Sequence, residues 1–245
     1  FLTERDGGAD AEAFYPRRRY GEYLLARVAR SASRSQVERW TTSAQAAGRH
    51  DGAWQITGAD GRQRYARHMV LAIGPQASMP ASGVAPILLK QGRYRLDPYA
   101  WVEQPYSVGE LNDIFILGSG LTAVDLALTA ARTFPQAVIH LLSRHGALPA
   151  AHADAHAVGA DPLSSDLDMP VASALLRRVR IHCDGLNDWR DGIDALRART
   201  ADRWHLWPDA ERKRFLRHAR WAWDRVRHRM APEVAVAVSE LIRSG

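Results

Sequence analysis

The pattern that most restricts this chain is only thirty residues long. An apolar run, 113–117 (DIFIL), leads directly into Gly118-Ser119-Gly120-Leu121-Thr122-Ala123, then an Ala/Leu-rich stretch to 133 and a second apolar run, 137–142 (AVIHLL). Strand, tight turn, helix and strand in that length make a β-α-β unit, whose strands run parallel because the helix returns the chain. The G-x-G-x-x-A spacing has a physical reason. Gly118 permits the sharp strand-to-helix turn, Gly120 lets a pyrophosphate approach the backbone, and Ala123 keeps the helix close to the strand. The unpaired N–H groups and positive end of the helix then face the phosphates. The run 114–131 is also apolar enough to raise the question of a membrane span. Gly118 to Gly120 at its centre and Asp125 divide it into strand and helix instead, so no membrane partner is expected.

The end of the second strand bears on which dinucleotide is taken. A site for NAD usually has Asp or Glu there to accept hydrogen bonds from ribose hydroxyls. This chain has Leu142-Ser143-Arg144-His145 and no carboxylate. A hydroxyl followed by a forked, permanently charged guanidinium suits a 2′-phosphate, which favours NADP over NAD.

The 245 residues are enough for one large domain or two smaller ones. Spacing predicts a helix over 15–31 and short strands near 37–46, 54–57 and 63–66, joined as an antiparallel meander by Gly-containing turns at 48–52 and 58–61. The continuous apolar run 68–73 (HMVLAI), closed by Gly74-Pro75, predicts a strand buried on both faces. Pro80, Pro86, Pro98 and Pro105 mark 76–111 as a connection. Residues 145–170 read as loop. The tail reads as helical, with one helix over 208–230 carrying the stripe Phe215, Ala219, Ala222/Trp223, Val226 and Met230, then another from Glu233 to Arg243.

The net charge is +6, and the whole surplus falls within 171–245. Tryptophans and arginines mingle there, yet the aromatic stripe has the spacing of a helical core with Arg217, Arg220 and Arg227 on a solvated face, so no nucleic-acid partner is expected. His152, Asp154 and His156 have helical metal-pair spacing but no third ligand, so no metal is expected. Ser119 lacks the G-x-S-x-G context of a hydrolase nucleophile. Cys183, the single cysteine, falls in RIHCD, read as strand and as a buried apolar position. A lone thiol is typical of a reducing compartment, and a cytoplasmic location is expected.

Four stretches resemble the bacterial FAD/NAD(P)-binding proteins related to flavin-dependent monooxygenases and pyridine-nucleotide reductases. They are Phe14-Tyr15-Pro16-Arg17 with Tyr20-Gly21-Glu22-Tyr23-Leu24; Leu71-Ala72-Ile73-Gly74-Pro75; residues 116–125 continued by 142–149 and His152; and Arg227-His228-Arg229-Met230-Ala231-Pro232. The third is the most specific. The resemblance implies that Gly118, Ser119, Gly120, Leu121, Thr122 and Ala123 line the nicotinamide cofactor's pyrophosphate, that Ser143 and Arg144 meet its adenosine ribose, and that Ala72, Ile73 and Gly74 pass against FAD. Ile73 stands where the group usually has Thr. It further implies hydride transfer from NADPH to flavin in the full-length protein, on an unidentified small-molecule substrate. No catalytic acid or base can be named, and the oligomeric state is open.

Members of that group begin with a strand–GxGxxG–helix for FAD, which this chain lacks before its first residue, Phe1. The chain is therefore expected to be a piece of a longer protein, short of roughly a hundred leading residues. The expected fold class is α/β: a Rossmann-like nucleotide-binding unit (112–170) inserted in the remainder of an FAD-binding domain (1–80), with a connection at 81–111 and a helical C-terminal segment (171–245). The alternative to a flavin-dependent oxidoreductase is a non-catalytic NAD(P)-binding module.

Overall fold

Backbone hydrogen bonding sorts the strands into two separate sheets, one antiparallel and one parallel. The structure, a computed structural model, describes residues 8, 10, 13–33, 37–74, 79–98, 111–153, 171–197 and 199–244. The chain is mixed α/β and divides into two compact units, Phe1–Ser82 and Gly83–Gly245.

Unit 1 opens with helix α1 (Arg17–Ala32), which follows Pro16 and buries no residue. Strands β1 (Ala44–His50), β2 (Ala53–Gly58) and β3 (Gln63–Ala66) then form the expected antiparallel meander, but the first strand, expected near 37–46, begins only at Ala44. The β1–β2 turn is only Asp51-Gly52, both with positive φ (47° and 79°). That is the two-residue hairpin whose twist matches the flanking strands, so Gly48 belongs to β1 and not to the turn. The β2–β3 turn is organised by Asp60. Its carboxylate accepts from the Trp40 indole at 3.0 Å, the Arg62 backbone N–H at 3.1 Å and Arg62 Nε at 2.8 Å. Partial burial pushes the Asp60 carboxyl up, but those bonds and the Arg62 charge outweigh it and hold it below the usual carboxylate range.

The run 68–73 corrects an expectation. It is not a strand, and Val70, Leu71 and Ile73 are 87%, 70% and 70% exposed. A strand buried on both faces needs partners on both edges, and β3 is the last strand of this three-stranded sheet.

Unit 2 begins with a short helix, α2 (Pro86–Lys90), and then β4 (Asp113–Leu117), α3 (Leu121–Thr133) and β5 (Val138–Leu142). β4 and β5 pair in parallel from Asp113↔Val138 to Leu117↔Leu142. One stripe of α3 (Ala123, Val124, Leu126, Ala127 and Ala130) is buried. The apolar run 114–131 is thus strand plus helix, and no helix of the described residues is long and apolar enough to cross a membrane.

The rest of unit 2 is helical: α4 (Ala172–Asp184), α5 (Trp189–Arg197), α6 (Thr200–Leu206), α7 (Asp209–His218), α8 (Arg220–Arg227) and α9 (Pro232–Arg243). Two expectations change here. The segment 208–230 is two helices, because the chain breaks at Ala219 (φ −118°). Phe215, Trp223 and Val226 still pack against one cluster formed by Ala172, Leu175, Val179, Ile193, Leu196 and Trp207. Cys183 lies in α4, not in a strand, since Leu175, Val179 and Cys183 recur at helical spacing. It is half-buried against the same cluster. Burial, then the Asp184 charge, pushes its thiol up, away from the reactive thiolate. A second cluster (Val124, Met230 and Val238) joins α3 to α9.

Candidate dinucleotide-binding site

The turn between β4 and α3 continues the parallel ladder one step further. The Gly118 N–H donates to the Leu142 carbonyl at 2.8 Å, so the glycine loop and the residue after β5 are held side by side. Gly118 has φ +127°, a conformation that L side chains rarely adopt. Gly120 is the N-cap of α3, and no side chain caps that helix. The first-turn N–H groups therefore have no intrahelical acceptor and face outward as donors. Apart from the adjoining residues, no protein atom lies within 4 Å of where a Cβ on Gly120 would stand. Packing therefore does not demand a glycine at that position.

Leu121 and Ala123 contribute backbone only. Ala123 is buried, and Leu121 packs against the cluster of Val124 and Met230. The exposed side chain in this first turn is Thr122.

Ser143 and Arg144 leave the end of β5 and lie beside this loop. Ser119 Oγ is 2.9 Å from Ser143 Oγ and 2.8 Å from the Ala147 carbonyl oxygen. A carbonyl only accepts, so the Ser119 proton goes to Ala147. Ser143 must then give its own proton to Ser119, while it accepts the Gly146 N–H at 3.0 Å. The two hydroxyls latch the loop after β4 to the loop after β5. Arg144 is exposed, with no hydrogen bond or ion pair among the described residues, and is the free cation at the mouth.

A third contributor was not read from the sequence. His145 stacks on Trp221 of α8 with centroids 4.4 Å apart. Arg225, one turn further along α8, donates to the Leu148 carbonyl at 3.1 Å. The segment after the loop is then clamped by backbone bonds, Ala150 N–H to Arg225 C=O at 2.9 Å and Met230 N–H to Ala150 C=O at 2.8 Å. The signal for this lay in an aromatic and an arginine four residues apart on α8, off the apolar stripe. The Arg227-to-Pro232 stretch is thus a structural junction. Arg229 within it is buried and ion-paired with Asp194 of α5.

Ala72, Ile73 and Gly74 belong to unit 1, and Gly74 has φ +69°. The structure brings together 118–123 with 143–144. Asp154 and His156 lie outside the described residues, while the His152 N–H donates to the Met230 carbonyl at 2.8 Å.

No curated protein and no solved structure matches the chain. A family model described as FAD-NAD(P)-binding matches residues 1–76, which takes in Ala72 to Gly74 and ends before the glycine loop. Over that stretch, less than a third of the chain, the sequence is similar to FAD-NAD(P)-binding proteins.

Proposed function

We propose that the β4–α3–β5 unit is a Rossmann-like site for a nicotinamide dinucleotide, NADP in preference to NAD. The observation that carries this reading is the open Gly120 position at an uncapped helix N-terminus, with Arg144 unpaired beside it. Backbone N–H groups of the first turn of α3 would hold the pyrophosphate, and Gly118 and Gly120 would leave room for it. Arg144 would hold the 2′-phosphate through charged, forked donors. Ser143 acts differently from a free hydroxyl: its proton is engaged with Ser119, so it positions Arg144 and offers the ligand only a lone pair. When bound, NADPH supplies a hydride.

The whole-protein activity that accords with this site is FAD-dependent NAD(P)H oxidation–reduction, monooxygenase-like in its resemblance. Ala72, Ile73 and Gly74 fit at most one edge of a flavin, offering backbone and apolar side chains with no charge. No step is assigned through that group. The exposed, unpaired state of 68–74 favours a second reading, a nucleotide-binding module without flavin activity. The visible spectrum of the purified chain separates the two: bound flavin that bleaches on anaerobic NADPH addition supports the oxidoreductase, and a colourless protein that binds NADPH supports the module.

The nucleotide assignment is tested by titration with NADPH and NADH. Arg144→Ala should weaken NADPH by about tenfold or more and leave NADH within about twofold, the scale of one charged hydrogen-bonding contact. Equal losses would sink the 2′-phosphate assignment. Gly120→Ala should weaken both by about tenfold or more and lower stability by no more than about 1 kcal/mol, the scale of a changed N-cap, because its Cβ meets no protein atom outside the neighbouring residues.

A further inference from the structure

We infer that the helical part of unit 2 carries a second ligand site, independent of the nucleotide loop, for a small aromatic carboxylate. A cleft of about 320 Å³ opens among α4, α5, α6, α7 and α8. Well-packed interiors leave few voids larger than a water molecule, and this volume is at the lower end of those that take small molecules.

The walls are built to stay open. Trp204, Trp207 and Phe215 brace one another with centroids 5.5 to 6.0 Å apart and ring planes tilted by 52° to 74°. Large rings locked at such angles cannot collapse into the space as flexible aliphatic chains would. With Trp223 they offer faces and edges to a flat guest. The polar lining has one sign in excess. Arg203, Arg220 and Arg227 stand on it against a single carboxylate, Asp224. Asp224 is already engaged by Arg220 at 3.2 Å. Arg227 makes no ion pair among the described residues, and its half-buried guanidinium is the group left to meet a carboxylate as a two-pronged donor. The apolar walls of the cleft match the ring of such a guest and not a bare phosphate, which has no apolar face. The cluster of positive charge in 171–245, unconnected with the glycine loop, thereby acquires a local use.

One helix serves both sites through different faces. Trp221 and Arg225 of α8 hold the loop after β5, while Arg220, Trp223, Asp224 and Arg227 line the cleft. The two functions can therefore be separated by substitution.

Calorimetric titration of the full chain with 2-naphthoate and with its neutral isostere 2-naphthamide tests the inference. The acid is expected to bind one per chain, and the amide at least about tenfold more weakly, the scale of a charged contact. Arg227→Gln should remove the acid's advantage while leaving the amide within about twofold, so the amide reports that the cleft is still folded. Leu216→Trp, a substitution at a half-exposed wall position, should block both probes, and Arg144→Ala should alter neither. The inference is overturned if acid and amide bind alike, if neither binds, or if Leu216→Trp leaves naphthoate binding unchanged. Loss of NADPH binding with naphthoate binding retained would refute the nucleotide site alone.

Discussion

The two units are held together by different means. In unit 1 the described residues include one buried position, Gly58, and no buried hydrophobic side chain. Its order comes from the meander's hydrogen bonds and from polar pairs at the surface, such as Trp40 with Asp60 and Arg64 with Glu38. In unit 2, two apolar clusters and a buried ion pair do that job. The family match falls on the thinly packed unit, and the glycine loop lies in the densely packed one. Resemblance in sequence and depth of packing therefore report on different parts of this molecule. The contrast makes a quantitative claim: substitutions in unit 2 should act through desolvation and cavities, and those in unit 1 through local geometry.

The largest expected effect tests the ion pair. The Arg229 side chain is fully buried, its Nη2 pairs with Asp194, and its Nε and Nη1 have no hydrogen-bond partner. Asp194→Ala leaves a buried charge without compensation and should cost about 3–5 kcal/mol. Asp194→Ala combined with Arg229→Met removes both charges and should recover most of that loss. Urea unfolding followed by tryptophan fluorescence reads both. A small loss in Asp194→Ala would mean that the pair is solvated and that the packing contrast between the units is overstated.

Gly58 tests the other side of the comparison. A Cβ there would come within 2.5 Å of the Trp40 ring, 2.6 Å of Asp60 Oδ1 and 2.8 Å of Thr42 Cγ2. Gly58→Ala must therefore push Trp40 off the β2–β3 turn, at about 1–3 kcal/mol, the usual scale for overpacking. Hydrogen exchange should rise in 53–66 and remain unchanged in the helices of unit 2. Exchange that rises across both units would break the comparison.

What could be read beforehand follows the same division. β4 and α3 begin and end where the sequence places them, because the glycine turn punctuates a strand and a helix whose side-chain periods differ. β3 is equally legible, lying between a Gly-containing turn and a loss of alternation. The misreadings concern contacts that local pattern does not contain. An apolar run such as 68–73 looks like an interior strand whether or not neighbouring strands exist to pair with it. The stripe across 208–230 continues through Ala219 because Phe215, Trp223 and Val226 face one cluster from two helices. The Ser119–Ser143–Ala147 latch was likewise unreadable, since it joins residues 24 and 28 positions apart. Two signals were present and underweighted: Asp51-Gly52, a strong two-residue hairpin dipeptide, and the helical recurrence of Leu175, Val179 and Cys183.

The smallest expected effect is a pH dependence confined to unit 1. The Asp60 carboxyl is held below its ordinary range in the folded chain by the Trp40 indole and by Arg62, against the upward push of partial burial. A carboxyl whose folded value is depressed binds fewer protons folded than unfolded, so its contribution is complete above its unfolded value of about 4 and fades as pH falls through the folded value. Protection of the 53–66 amides, corrected for intrinsic exchange, should thus decline below about pH 4. Asp60→Asn keeps the side chain's size and an accepting oxygen but cannot titrate, so its protection should start lower and lose less over that interval. The Glu38–Arg64 pair titrates in both proteins, and the difference between the two curves isolates Asp60. Parallel curves would mean that the turn is held by backbone bonds alone, such as Gly58 N–H to Arg62 C=O at 2.9 Å, with the carboxylate a bystander.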